Sequence, residues 1–250
     1  MSILKTSAIL IKARKYKEKD KLLTFLTEDF GKIITQCKGA RDPLNHWGHN
    51  AEPPNLCWLQ LYERNNFYIV TEMKPINNLF SIMQEYPRVL AFETMAHLLD
   101  MVLEPGVPLR ETFALSLSFL KALNRKESDP FYLSYLYIIL FLGKQGYPLQ
   151  MRRCIVCSEP FSREERGYTV SYEEGGLICS RCRKKVSVYN PLTTEFCSFL
   201  QVFGACSDFE VVNQPIDFFH NMEELDRIVR EYFRYKFNRK LLTMISLRKL

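Results

Sequence analysis

Four cysteines set the tightest condition on how this 250-residue chain can fold. They come as two Cys-x-x-Cys pairs, Cys154/Cys157 and Cys179/Cys182, in "CIVCSEPFSREERGYTVSYEEGGLICSRC". Cys-x-x-Cys lets one tight turn offer two thiolates to a single ion, and zinc takes four such ligands tetrahedrally. The intervening 21 residues (158–178) are slightly long for a zinc ribbon and read as a hairpin. "GYTVSYEE" is one strand, Gly175-Gly176 the turn, and "LIC" the return into the second pair. A catalytic metal needs an open coordination position, and four cysteines leave none. A redox pair needs a helix start in a βαβ setting, and the flanking sequence does not read that way. The expectation is a module over 151–186 closed by one structural Zn2+, with reduced, metal-free thiols as the alternative. Four thiolates on a divalent ion leave a charge of about −2. Arg152, Arg153, Arg181, Arg183, Lys184 and Lys185 stand close by in sequence to offset it.

The other cysteines (37, 57, 197 and 206) are scattered and read as small buried apolar residues. Cysteine used for metal and burial rather than for disulfides, with no signal-peptide pattern at the start, reads as a cytoplasmic protein. The most apolar run, "FYLSYLYIILFL" at 131–142, is shorter than the roughly 20 residues of a membrane span. His46 and His49 read as exposed loop residues and His97 as a core or boundary residue. No phosphate-binding loop, Gly-x-Ser-x-Gly or His-Glu-x-x-His occurs, which argues against nucleotide hydrolysis and the common hydrolases. The net charge of +6 is concentrated: residues 5–41 hold ten Lys/Arg against four acids, a difference equal to the whole-chain excess. That fits a polyanion partner, or lysines placed on exposed strands for solubility.

The first part of the chain alternates with period two. Strands are expected over 6–14, 21–27, 31–39, 56–63 and 67–73, with Ile9, Ile11 and Ala13 sharing one face of the first. The connection from Gly39 to Asn55 is long enough to be functional or disordered. Five strands with no helical period fit an OB-fold barrel and, on pattern alone, an SH3-like one. After Pro75 the period becomes helical. Helices are expected from Pro87 to Leu103, over 109–124, from Pro130 to about Gly143, over 193–205 and over 222–242. The third is apolar nearly all round and belongs at the centre of a bundle. The class is therefore α+β: a five-stranded barrel over 1–76, then an all-helical domain over 77–250 interrupted by the four-cysteine zinc module.

"ILIKARKYKEKDKLLTFLTEDFGKIITQCKGAR" (9–41) resembles the opening of the RecO family, the bacterial recombination mediators. Its pattern is carried here by Arg14, Tyr16, Glu18, Asp20, Thr24, Thr27, Gly31, Lys32, Lys38, Gly39, Ala40 and Arg41. "LQLYE", the late four-cysteine insert and "REYFRYKF" extend the likeness over nearly the whole chain. The resemblance implies an OB-fold and a helical domain with a zinc module. It further implies binding of single- and double-stranded DNA, and annealing of complementary strands without ATP. The implied partners are RecR and the acidic tail of single-stranded-DNA-binding protein, in loading recombinase at gaps. It implies no catalytic residue.

Candidate phosphate contacts are Lys12, Arg14, Lys15, Lys32, Lys38 and Arg41, with Arg227, Arg230 and Arg234 as an extension or as a salt-bridged helix face. The family usually continues with further basic residues after Lys-Gly-Ala-Arg. This chain has Asp42, Pro43, Leu44, Asn45, His46, Trp47 and Gly48 instead, so the loop brings less charge. Tyr16 and Trp47 are candidate base-stacking residues, as are Trp58, Tyr62 and Tyr68, with core packing the alternative for each. Two readings from other classes stand beside DNA annealing: a protein-docking adaptor, and an RNA-binding OB-fold and zinc-ribbon factor.

Overall fold

A computed structural model describes residues 2–42, 44–64, 67–77, 79–162, 164–185, 191–203, 209 and 218–245. The chain divides into two compact units, Met1–Glu127 and Ser128–Leu250.

In the first unit, β1 (Ser2–Tyr16), β2 (Asp20–Thr27), β3 (Gly31–Cys37), β4 (Asn55–Arg64) and β5 (Phe67–Asn77) close into a barrel in the order β1-β2-β3-β5-β4. Only β3 and β5 run parallel, meeting at Thr35↔Tyr68 and Gln36↔Ile69. The result is the five-stranded OB-type barrel. β1 is long enough to serve two partners, pairing over Ser2–Leu10 with β4 and over Ala8–Tyr16 with β2. Its alternation is not the simple one expected. Leu10 faces Phe25 and Lys12 faces Thr24, so Ile11 is a bulge without a partner opposite. Two residues against one reset the pleat. Leu10 and Ala13 therefore both face the barrel core, and Ile9 does not share a face with Ala13. Lys12 and Arg14 are left pointing out.

The long loop after β3 is anchored in the core by a few of its residues while most of the rest is exposed. Its 3-10 turn (Gly48–Ala51) and the residue before it carry Trp47 and Ala51 into the barrel interior, with Ala40 beside them. The barrel also has a buried outer surface. Ile9, Ile11 and Leu26 are fully or nearly fully buried yet lie outside the interior cluster, because this unit continues into α1 (Phe80–Gln84), α2 (Tyr86–Val102) and α3 (Arg110–Leu123). α2 lies against β1. The link between α2 and α3 bridges β3, with Gly106 N–H donating to Lys32 O at 2.9 Å. Gly31 permits this approach: its φ is +65°, and a Cβ there would meet Val107 O at 1.9 Å. Arg88, only 3% exposed, donates to the carbonyls of Leu123 and Lys126 and so covers the C-terminus of α3.

In the second unit, α4 (Pro130–Lys144) starts behind Asp129, whose carboxylate accepts from Tyr132 N–H at 2.8 Å, a helix N-cap. Buried side chains ring α4 on most sides, as its composition predicts, and α6 (Phe218–Phe237) packs on it beside α5 (Thr194–Phe203). Asp226 of α6 is 2% exposed and fully engaged. It accepts from Tyr135 Oη at 2.7 Å, Thr243 Oγ1 at 2.5 Å and Arg230 Nε at 2.8 Å. A buried carboxylate with three donors is a structural tie rather than a reactive group. Between α4 and α5 lies the hairpin β6 (Thr169–Ser171) and β7 (Gly176–Ile178) that carries the cysteines. Cys206 and the end of the helix expected over 193–205 lie outside the described residues. No helix among the described residues is long and apolar enough to cross a membrane.

Candidate metal centre and nucleic-acid interface

The hairpin brings the two cysteine pairs together. Gly175 turns the chain at φ +74°, where a Cβ would meet Tyr232 Oη at 2.9 Å; a Cβ on Gly176 would meet Gln150 O at 2.5 Å. The first knuckle then docks on the hairpin through Ile155 N–H to Leu177 O at 2.9 Å and Leu177 N–H to Gln150 O at 2.8 Å. Each knuckle closes on itself, by Ser158 N–H to Cys154 O at 2.8 Å and Arg183 N–H to Cys179 O at 3.0 Å. Glu165 fastens the second knuckle, accepting from Ser180 N–H at 2.9 Å and Oγ at 2.6 Å and from Tyr168 Oη at 3.1 Å.

The Sγ atoms of Cys154, Cys157, Cys179 and Cys182 lie within 4.8 Å of one another, and those of Cys157 and Cys179 are 3.7 Å apart. Bonds of about 2.3 Å in a tetrahedron place sulfurs about 3.8 Å apart, so the four fit around one ion. Burial pushes the Cys154 thiol up, but the amides of Cys179, Cys157 and Val156 bring it down to about 7. Cys179 and Cys182 are pushed up, first by burial, with the sulfurs of Cys154 and Cys157 adding to it and Cys182 offsetting part of the rise at Cys179. A second thiolate forms poorly beside the first, so a full set of four needs a cation at its centre. Three of the four are buried and Cys157 is exposed. Among the described residues no histidine or carboxylate joins the set. The other described cysteines, 37, 57 and 197, are buried and held protonated, their thiols pushed up to about 12 chiefly by burial.

The cationic candidates separate by environment. Arg14, Lys15 and Lys38 are exposed, and Lys12 keeps half its side chain in solvent while pairing with Asp100 at 2.6 Å. Lys32 is different. It is 6% exposed, and its ammonium donates to the Asp100 carbonyl at 2.6 Å, so it caps α2 and offers nothing to a phosphate. Lys12 and Lys32 together hold the Asp100 carboxyl low, outweighing the upward push of burial. Arg41 is exposed, yet Nη1 donates to the carbonyls of Lys17 at 2.9 Å and Glu18 at 2.7 Å, tying the loop after β3 to the β1–β2 turn.

The aromatic candidates also part. Trp47 is 5% exposed, and its indole N–H donates to Lys38 O at 2.8 Å. His46 lies against its ring at 4.1 Å and the rest of the indole is in the barrel core, so it packs the loop and has no open face for a base. Tyr16 is partly exposed, with Lys17 Nζ 5.3 Å from its ring centre. Tyr68 packs against the barrel core, whereas Trp58 and Tyr62 are partly exposed. On α6, Arg227, Arg230 and Arg234 pair with Glu224, Asp226 and Glu231, the salt-bridged alternative.

Asp20 is the residue whose part in this surface the sequence reading missed. Its carboxylate accepts from Gly39 N–H at 2.9 Å and Gln36 Nε2 at 2.5 Å. The Gly39 bond is the main cause holding it below the usual range. Gly39 has φ +68°, and a Cβ would meet Asn45 Nδ2 at 2.4 Å. Asp20 and Gly39 thus fix the backbone between Lys38 and Arg41. Their place among the letters of "EKD" and "KGAR" that carry the family pattern was the available signal.

The model of the recombination protein O N-terminal region matches residues 1–79, and that of its C-terminal region matches 83–244. The chain belongs to the RecO family. Among similar curated proteins, the DNA repair protein RecO of Heliobacterium modesticaldum is 29% identical over 189 residues, which cover 75% of this chain and 68% of that one. RecO of Caldicellulosiruptor bescii is 27% identical over 185 residues, 74% of each chain. RecO of a Thermoanaerobacter species is 24% identical over 234 residues, 94% of this chain and 92% of its own. The RecO-family alignment therefore runs through barrel, helices and cysteine module alike.

Proposed function

We propose that this chain is a non-enzymatic DNA repair and recombination mediator. In this reading it binds single- and double-stranded DNA, anneals complementary strands without ATP and helps load recombinase at single-stranded gaps. The observation that carries the reading is the pair of RecO-family matches over 1–79 and 83–244, joined to a closed barrel whose exposed cations cluster at the end of β1 and after β3.

Annealing needs two phosphate backbones neutralised while the bases stay free to pair. Cations do the first by releasing counterions, which steepens the salt dependence. Lys12, Arg14, Lys15, Lys38 and Arg41 are the contacts we assign, with Tyr16 as an edge stacking residue; Lys32 and Trp47 are withdrawn by their burial. The functional division is a DNA-binding barrel over 1–76 and a helical part over 77–250 carrying the module 151–186. Cys154, Cys157, Cys179 and Cys182 hold one structural Zn2+, which fastens the module and performs no chemistry. RecR and the tail of single-stranded-DNA-binding protein are the protein partners, and the setting is cytoplasmic.

A second reading, the docking adaptor, draws on a recess of about 350 Å3 in the first unit. Phe113, Leu117, Leu56 and Ile76 line it together with Arg110, Lys121 and Glu28; an acidic tail with an apolar end would bury its end there and take Arg110 from Asp29, its partner at 3.0 Å. Annealing of complementary oligonucleotides, bare and coated with single-stranded-DNA-binding protein, separates the two at low and high salt. The mediator accelerates pairing, most at low salt, and the combined charge reversal of Lys12, Arg14, Lys38 and Arg41 abolishes it. Tail-peptide affinity without accelerated pairing, or normal pairing by that folded variant, overturns the assignment.

A further inference from the structure

We infer that the outer face of β4 is a separate stacking site for single-stranded DNA, with Trp58 as the platform for a base and Lys5 and Lys74 as its phosphate partners. The inference rests on the nucleic-acid reading above but uses none of the residues assigned there. On β4, Cys57, Leu59 and Leu61 are wholly buried and point inward, so Trp58, Gln60 and Tyr62 point out. β4 is the middle strand here. Trp58 has Ser7 of β1 directly across on one side and Lys74 of β5 on the other. Lys5 stands on the same face of β1, two residues from Ser7 and opposite Gln60.

The two ammonium groups lie 5.5 Å (Lys5) and 5.7 Å (Lys74) from the centre of the indole. That arrangement does not suit an apolar protein partner, which would have to strip water from both cations. A nucleotide brings the two complements at once, a flat ring for the indole and a phosphate for the ammonium groups. An exposed ammonium over an aromatic ring contributes roughly two- to fivefold in an equilibrium. A stacked base contributes roughly five- to a hundredfold, and the two lysines it displaces regain a partner in the backbone phosphates, so the exchange favours the base. Glu72 pairs with Lys74 at 2.8 Å, and the phosphate must exchange with that carboxylate, which makes the site salt-sensitive. Tyr62 stands roughly 13 Å further along β4, in line for a later base.

The test is titration of the full chain with an oligothymidylate, read by anisotropy of a labelled strand and by tryptophan fluorescence. Trp58→Ala is expected to weaken binding roughly five- to a hundredfold. Trp58→Phe keeps a ring to stack on, so it should hold affinity far better than Trp58→Ala and remove the quenching expected of the unaltered chain, because Trp47 is buried. Lys5→Glu with Lys74→Glu should weaken binding and lower the salt slope by about 1.4. If Trp58→Ala loses its fold, the latter two variants carry the test. Quenching that persists in Trp58→Phe, or unchanged affinity in a folded Trp58→Ala, overturns this site while binding lost on reversing Lys12, Arg14, Lys38 and Arg41 still upholds the proposed function. Failure of the unaltered chain to bind the strand overturns both.

Discussion

A lysine on a barrel strand has two uses, and β3 with its exit carries one of each. Lys32 is buried with its ammonium on the Asp100 carbonyl, one of the last four carbonyls of α2 that lack a partner within the helix. An ammonium costs much to bury unless it is paired, and here a carbonyl and the Asp100 carboxylate at 3.7 Å serve it. Lys38 is exposed; its carbonyl accepts from Trp47 and its charge helps to hold the Asp20 carboxyl low. The substitution Lys32→Met keeps the length of the stem and removes the donor, leaving the Asp100 carbonyl without it. We expect a loss of about 1–3 kcal/mol, seen as a melting temperature several degrees lower, with the salt slope of DNA binding unchanged. Lys38→Met should do the reverse, moving stability by no more than about 0.5 kcal/mol and lowering the duplex-DNA salt slope by about one. Melting curves and binding isotherms across a salt series read both. A flattened slope in Lys32→Met would return that residue to the DNA surface.

At the scale of elements, the cysteine module rests on the helices beside it, through Arg227 to Tyr172 and Lys236 to the Glu173 carbonyl, but its own secondary structure is slight. β6 and β7 are three residues each, too short for a hairpin to stand alone, and the one other regular element described in the module is the 3-10 turn Arg183–Lys185. Metal binding in such modules is folding free energy. Chelation is therefore expected to release one zinc per chain, measured as a drop in native mass. Amide protection should be lost across 151–185 while the barrel strands keep theirs. An unchanged mass would retire the metal, and a lost metal with protection intact would retire its structural role. This module was the most legible part of the sequence, because two Cys-x-x-Cys pairs state a geometric condition that few folds satisfy. Strand and helix periods were legible for the same reason: each is a local repeat. The bulge at Ile11 was not, since a bulge shows only against the partner strand that sets the count. Nor was the burial of Trp47, which sits in a polar loop and is held inward by its indole N–H on the Lys38 carbonyl. Lys32 and Lys38 share a face in sequence, and only the helix lying over one end of β3 tells them apart.

At the scale of the molecule, the strands stop at Asn77 and the two family models meet between 79 and 83, but the first compact unit runs to Glu127. The difference has a physical origin in the outer surface of the barrel. Ile9, Ile11 and Leu26 point away from the interior cluster and are still 3% exposed or less. Each such side chain contributes roughly 1.5–3 kcal/mol by leaving water, so the three together approach the about 5–15 kcal/mol that a whole domain has to spare. Lys32 and Gly31 point the same way, one shaped to cap α2 and the other to admit the backbone at Val107. A fragment of residues 1–79 would expose those three side chains and leave the Lys32 ammonium facing a missing helix. We expect it to unfold without a cooperative transition in urea, whereas residues 1–127 should show one sharp transition and the dispersed amide spectrum of a packed barrel. The longer fragment should also keep salt-dependent binding to single-stranded DNA, since every cation assigned to that role lies within it. A cooperative, well-dispersed 1–79 would mean that the barrel closes its own core without the helices, and that the outer-face burial adds nothing it needs.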